Sequence, residues 1–239
     1  MKIVMIHGQN HVGSSCHIGR MLVEALGSGN EVTEFFLPRD LPHFCLGCYR
    51  CITDDTACPY YAEKHRIMEQ VEQADLLILT TPNYCMLPSA PMKAFIDLTF
   101  TYWMSHRPRT CMFSKRAAVI STTAGMGARQ AILGVKRTLL YWGIPYVKGY
   151  GIGVQAMNWD GVRQAKKDKI GKDITWLARR LSSKKAPHVG LKTRLFFLMM
   201  RGMQKAGMSS SPVEVAYWQE QGWLDQQRPW KKSRSEQAK

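Results

Sequence analysis

Cys45, Cys48, Cys51 and Cys58, followed directly by Pro59, set four thiols in the spacing C-x2-C-x2-C-x6-C-P. Two-residue gaps let one tight loop turn successive sulfurs toward a common centre, as a 4Fe–4S cluster requires. The bacterial ferredoxin run shares the C-x2-C-x2-C start and the trailing proline. Structural zinc also accepts four cysteines, but its ligands usually come as two separated pairs. A thiol–disulfide couple or unmodified cysteines are the remaining readings. These four positions are the candidate metal ligands.

Three further stretches could hold a small ligand. Gly8-Gln9-Asn10-His11-Val12-Gly13-Ser14-Ser15 is a turn with two hydroxyls before a helix. It is neither G-x-G-x-x-G nor a Walker A sequence. Amide N–H groups, the helix dipole and hydroxyl side chains at such a place suit one terminal phosphate. A strand pattern ends in Thr80-Thr81-Pro82-Asn83-Tyr84-Cys85-Met86-Leu87-Pro88, where Pro82 and Pro88 bracket a stiff loop and Tyr84 offers a flat face to a ring system. Ser121-Thr122-Thr123-Ala124-Gly125-Met126-Gly127 is small enough for backbone to approach a planar ligand closely. Taken singly, each is explained by a serine cap, a surface turn or a flexible loop. Together they each follow a strand pattern, and that coincidence carries the reading.

The elements that must position these loops alternate. Strand patterns cover Lys2–Ile6, Glu31–Phe36, Leu76–Thr80, Ala117–Ser121 and Tyr146–Val154. Helical patterns cover Ser14–Leu26, Tyr60–Gln73, Pro88–Thr101 and Ala128–Trp142. Strands separated by helices imply a parallel sheet covered on both faces. The expected fold is a flavodoxin-like doubly wound α/β domain with five parallel strands and its ligand site outside the strands' carboxyl ends. An amphipathic helix over Asp160–Leu181 completes the domain at residue 185. Residues 186–239 form a basic helical C-terminal extension, with helices over Leu191–Lys205 and Val213–Gln221 and a polar tail, 231–239, expected to be disordered.

The net charge of +15 is uneven. Residues 1–160 carry 15 Lys and Arg against 12 acids, whereas 161–239 carry 18 against 6. Basic surfaces can meet nucleic acid, anionic membrane or an acidic partner; a solvated helix face is the reading preferred, and no nucleic-acid partner is expected. Leu195–Met203 could cap a partner's site or lie on a membrane surface, but packing on its own domain or at a dimer contact is favoured. An odd cysteine count of seven, with no secretory leader pattern and no long apolar run, predicts a reducing cytoplasm.

With these residues in place, the chain resembles the NADPH-dependent FMN reductase-like branch of the flavodoxin superfamily, which includes the iron–sulfur flavoproteins. The likeness spans Lys2 to Val154. It rests on Gly8–Ser15, the four cysteines, Ala74-Asp75, Pro82-Asn83-Tyr84, Met92–Asp97 and Thr122–Gly127. The resemblance implies non-covalent FMN, with Gln9, His11, Ser14 and Ser15 around its phosphate. It places Pro82, Asn83, Tyr84, Cys85 and Met86 along the isoalloxazine, and Thr123, Ala124 and Gly125 on the other side. It also implies NAD(P)H as co-substrate, a 4Fe–4S cluster in the cysteine loop with zinc as the lesser alternative, and a homo-oligomer. The reaction would pass electrons to a quinone, flavin, nitro compound or protein acceptor. The alternatives are an electron carrier without direct NAD(P)H chemistry and a zinc- or flavin-binding regulator. Asp54-Asp55 depart from the family pattern by lying inside the cysteine loop. His106-Arg107-Pro108-Arg109 reads as a solvated basic turn, and Lys93 with Asp97 as a helical ion pair.

Overall fold

The computed structural model of the protein describes residues 1–183 and 185–231. From residue 232 on, the expected disordered tail lies outside the described residues. Strands β1 (Lys2–His7), β2 (Glu31–Phe36), β3 (Leu76–Tyr84), β5 (Arg116–Thr123) and β6 (Tyr146–Gly153) pair in parallel in the order β2-β1-β3-β5-β6. A sixth, two-residue strand, β4 (Leu87–Pro88), folds back antiparallel on β3. Helices α1 (Ser14–Ala25), α3 (Tyr61–Gln73), α4 (Ala90–Leu98) and α5 (Ala128–Tyr141) fill the crossovers, α6 (Gln164–Leu181) follows the last strand, and a one-turn helix, α2 (Arg50–Thr53), lies in the cysteine loop. Strand order reverses between β1 and β3, which places the crevice of a doubly wound sheet above those two strands.

Alternation along each strand feeds two core layers. Val4, Ile6, Leu77, Leu79, Ala117 and Val119 pack with α3, α4 and α5 through Ile67, Phe95 and Leu139. Their neighbours Ile3, Met5, Leu76, Ile78, Ala118 and Ile120 pack with α1 and α6 through Ile18, Leu22, Ile170 and Ile174.

The stretch bracketed by Pro82 and Pro88, expected as a stiff loop, is instead a hairpin: β3 continues to Tyr84 and turns at Cys85 and Met86 into β4. Both turn residues have positive φ, 51° and 67°, as a type I′ hairpin turn needs. Pro82 is tolerated inside the strand because its missing N–H faces past the end of β1. Thr80 directs its carbonyl to the Gly8 N–H, the neighbouring strand's last bond, and Pro82 two residues on faces the same way.

The C-terminal extension contains α7 (Leu191–Lys205) and α8 (Pro212–Glu220). Ser211 caps α8, its Oγ accepting from the Val213 N–H at 3.3 Å, with proline at the first helical position. Phe197, Met200, Trp218 and Trp223 form a third core with Met104 and Phe113 of the body. The favoured reading of Leu195–Met203, packing on its own domain, thus holds for the helix's inner face.

Candidate functional site

The strand-end loops converge on one pocket of about 290 Å³. Gln9, His11, Ser14, Ser15, Pro82, Asn83, Tyr84, Thr123 and Ala124 line it. Of the remaining candidates, Cys85 and Met86 stand exposed at the hairpin tip, and Gly125 sits on the exposed loop after β5, outside this lining. The candidate residues left out Gly13 and Thr122, which lie in two of the quoted loops, and the sequence reading missed the loop after β6, which adds Val154, Ala156 and Met157. Their signal was available: the rule that ligands bind at strand carboxyl ends applies to the last strand as well.

Unsatisfied polar atoms face this region. Among the described residues, Ser15 Oγ and Asn83 Oδ1 are buried without a hydrogen-bond partner. Helix α1 starts after Gly13 with no side-chain cap and no acid in its first turn, so its N-terminal amides lack a side-chain acceptor. The donor end of a helix and a bare buried hydroxyl together suit an anion. The loops are tied to one another by short bonds. Ser89 Oγ donates to the Gly8 carbonyl at 2.5 Å, while its backbone N–H donates to Thr81 Oγ1 at 2.9 Å. Asn83 Nδ2 donates to the Met126 carbonyl at 3.0 Å, which joins the hairpin to the loop after β5. Gly127 has φ of 97°, and a Cβ there would meet Asn83 Nδ2 and Met86 Sδ at 2.6 Å, so only glycine admits this contact.

Beneath the first loop lies His7, fully buried, with Nδ1 2.8 Å from Thr80 Oγ1 and Nε2 3.8 Å from Glu34 Oε1. Arg20 grips Glu34 with two bonds of 2.9 and 2.7 Å, which holds that carboxylate below its ordinary pKa. Burial, opposed by Glu34, lowers the His7 pKa from 6.5 to about 4. The unfolded chain therefore takes up a proton near its ordinary value while the folded protein resists until about pH 4. This contribution is complete above about pH 6.5 and is lost as pH falls toward about 4, by about 3 kcal/mol. Urea unfolding across about pH 7.5 to 4.5 is expected to show that loss, and His7→Gln to flatten it. Parallel pH slopes in the two proteins would remove His7 as its source.

The four cysteines of the loop border a second cavity, of about 390 Å³, walled by Ile96, Leu98, Phe100 and Trp103. Cys45 and Cys48 are exposed, Cys58 is half-buried, and Cys51 is buried, which raises its thiol pKa. Among the described residues, no three of His, Cys, Asp or Glu are gathered to hold a metal ion as they stand. The donor set and its shared cavity suit a thiolate-ligated centre; the sulfurs would draw together on binding.

The segment behind this loop corrects another expectation. His106-Arg107-Pro108-Arg109 is a strut, buried at Arg107 and Pro108 and half-buried at its ends, rather than a solvated turn. Arg107 donates to the carbonyls of Cys51 and Ile52 and to Asp55 Oδ1 at 3.1 Å. Arg109 reaches the other Asp55 oxygen at 3.3 Å and Glu72 at 3.4 Å. Asp54 instead accepts from the Thr56 N–H at 2.9 Å. The two acids inside the cysteine loop are thereby accounted for: one is neutralised by two arginines and the other caps a turn. Lys93 and Asp97 form the expected ion pair at 2.6 Å.

A doubly wound sheet with a pocket at its strand ends and a bare helix N-terminus defines a flavodoxin-like α/β protein. The chain belongs to the NADPH-dependent FMN reductase family, whose sequence profile matches residues 1–156, and it is accordingly an oxidoreductase. It is 31% identical over 156 residues to an iron-sulfur flavoprotein of Archaeoglobus fulgidus, a match covering 64% of this chain and 68% of that one. Its fold is similar to an FMN-dependent NADH-azoreductase from Bacillus anthracis solved with FMN, at a TM-score of 0.58 and 12% identity over 77% of this chain and 100% of that one. An NAD(P)H:(acceptor) oxidoreductase flavoenzyme from Paracoccus denitrificans aligns at a TM-score of 0.51 and 22% identity, over 78% and 99% of the respective chains.

Proposed function

We propose that the pocket above β1, β3, β5 and β6 holds FMN, and that the protein passes electrons from NAD(P)H to a quinone, flavin, nitro compound or protein acceptor. The observation that carries this reading is the convergence of four strand-end loops on one pocket with the unpartnered Ser15 Oγ at the start of α1. Bound there, FMN would supply the hydride-accepting and electron-releasing chemistry. Gln9, His11, Ser14 and Ser15 surround its phosphate, with the amides of α1 supplying the positive end of the helix dipole. Pro82, Asn83 and Tyr84, with Cys85 and Met86 at the hairpin tip, flank its ring, and Thr123, Ala124 and Gly125 close the opposite side. The chain's part is to orient the ring and direct backbone donors at it, so no dedicated acid or base is assigned.

Cys45, Cys48, Cys51 and Cys58 would hold a 4Fe–4S cluster, which supplies one-electron storage. The name of the Archaeoglobus relative and the shared cavity support this assignment. The apolar wall limits water, and the arginine-paired Asp55 adds no unbalanced charge beside the thiolates. Exposed Tyr84, Met86, Leu87 and Met126 near the pocket support a homo-oligomer that covers them.

Anaerobically purified protein is expected to show flavin absorption that bleaches with NADPH, together with iron and acid-labile sulfide. Zinc without flavin would overturn both assignments. Ser15→Ala separates binding from folding. Removing a buried hydroxyl that has no partner is expected to leave the apoprotein as stable or slightly more so. The same change should weaken FMN binding about fivefold, the equivalent of one lost hydrogen bond. Unchanged FMN affinity, measured by fluorescence quenching, would take Ser15 out of the phosphate site.

A further inference from the structure

Helix α7 carries two opposed stripes. Thr193, Phe197, Met200 and Gln204 face the molecule and are buried. On the other side, about 180° around the helix axis, Leu191, Leu195, Leu198 and Met199 are 70, 56, 42 and 51% exposed. The inner stripe already completes the third core, so the fold does not call for the outer one.

The flanks of the outer stripe are cationic. Lys192 borders one edge; Arg194, Arg201 and Lys205 border the other. Arg201 is committed to the carbonyls of Trp223, Leu224 and Asp225, and Arg194 is half-buried beside Trp230. Lys192 and Lys205 stand exposed. No Asp or Glu occurs from Leu98 through Trp159 or from Ile174 through Val213, so α5, β6 and α7 contain none. Lys136 of α5 shows the result: burial first, then the nearby Lys148 and Lys192 charges, hold its pKa below the ordinary lysine value.

This chemistry selects among occupants. A second copy would set this acid-free basic face against itself. A nucleic acid offers phosphates but no apolar surface for four aliphatic side chains. An anionic bilayer offers both layers, headgroup phosphates for the lysines and the acyl boundary for the leucines. Among the described residues no helix is long and apolar enough to cross a membrane, which leaves binding in the plane of the surface.

We propose that α7 lies along the surface of an anionic phospholipid bilayer, with Leu191, Leu195, Leu198 and Met199 in the acyl boundary and Lys192 and Lys205 at the headgroups.

Co-sedimentation of the full chain with vesicles of equal parts phosphatidylcholine and phosphatidylglycerol tests this. The protein is expected to bind these vesicles, to ignore pure phosphatidylcholine, and to release as salt is raised. Leu195→Glu combined with Leu198→Glu is expected to weaken binding by about tenfold or more. Both side chains are exposed, and an unchanged urea midpoint will show that the fold survives. Lys192→Glu with Lys205→Glu should also weaken binding and reduce its salt dependence. Failure to bind the mixed vesicles overturns the proposal, as does a leucine variant that binds like the parent. Without vesicle binding, capture of a duplex oligonucleotide that survives the leucine changes would assign the face to nucleic acid. A solution dimer dissociated by those changes, again without vesicle binding, would assign it to self-association.

Discussion

Replacing Arg107 by methionine is expected to destabilise the protein by about 3–5 kcal/mol, the loss seen when one partner of a buried ion pair is removed. The side chain is buried, and its guanidinium satisfies the Cys51 and Ile52 carbonyls together with Asp55. Methionine fills much of the same space but leaves two carbonyls and a carboxylate without that donor. Arg109 still contacts Asp55, and Asp55 is partly exposed, which places the expected loss toward the lower end of the range. The consequence should be local as well as global, because the carbonyls released belong to the cysteine loop. In cluster-free protein under native conditions, Cys51 is therefore expected to react faster with a maleimide in the variant, read site by site by peptide mass spectrometry. Arg107→Lys should recover only part of the loss, since an ammonium lacks the planar fork that reaches three acceptors. A loss below about 1 kcal/mol with unchanged thiol reactivity would mean that the strut does not hold the loop.

Trp218→Ala is expected to cost about 3–5 kcal/mol, as for large aromatic truncations in a packed core. Trp218 is fully buried, stacks on Phe197 with ring centroids 4.9 Å apart, and meets Trp223 edge-on at 5.3 Å. Its indole N–H donates to the His106 carbonyl at 2.7 Å, directly beside Arg107. The change thus opens a cavity and orphans an acceptor on the strut. Urea unfolding followed by circular dichroism checks the size of the loss. Because Met104 and Phe113 of the body share this core, the transition should remain single and shift as a whole. A separate early transition in the variant, with the main midpoint unmoved, would show the extension to be an appendage that folds by itself. The pocket proposed for FMN lies at the strand ends and shares no residue with this core, so FMN affinity is expected to survive.

Much of the fold was legible because its determinants are local. The β2 and α7 boundaries agree with the periodicity residue for residue, and most other elements differ only at their ends. β3 is the instructive exception. Its continuation through Pro82 depends on β1 ending two residues earlier in register, which no property of Thr80–Tyr84 alone encodes. Nine of the twelve candidate ligand-binding residues line one pocket for a similar reason. Parallel strands bring their carboxyl ends to one edge, so reading each strand's exit loop already groups them. Cys85 and Met86 fell outside because a hairpin carries them to its tip, where a loop would have kept them near the strand ends.

By itself the sequence determined the alternation of strands and helices, the exit loops that make the pocket, the thiol spacing and the acid-free basic stretches. Each is a matter of neighbouring residues, and backbone geometry turns such neighbours into elements without further instruction. Only the tertiary structure decided that the His106–Arg109 segment is a strut, that the extension shares a core with the body, and that α7 has a spare apolar face. Arg107 meets its acceptors 52–56 residues away, and Trp218 meets His106 at a separation of 112. A basic residue followed by proline reads the same whether its charge meets water or a buried carboxylate. What distinguishes the two is the desolvation imposed by distant chain, and that exists only once the chain has folded.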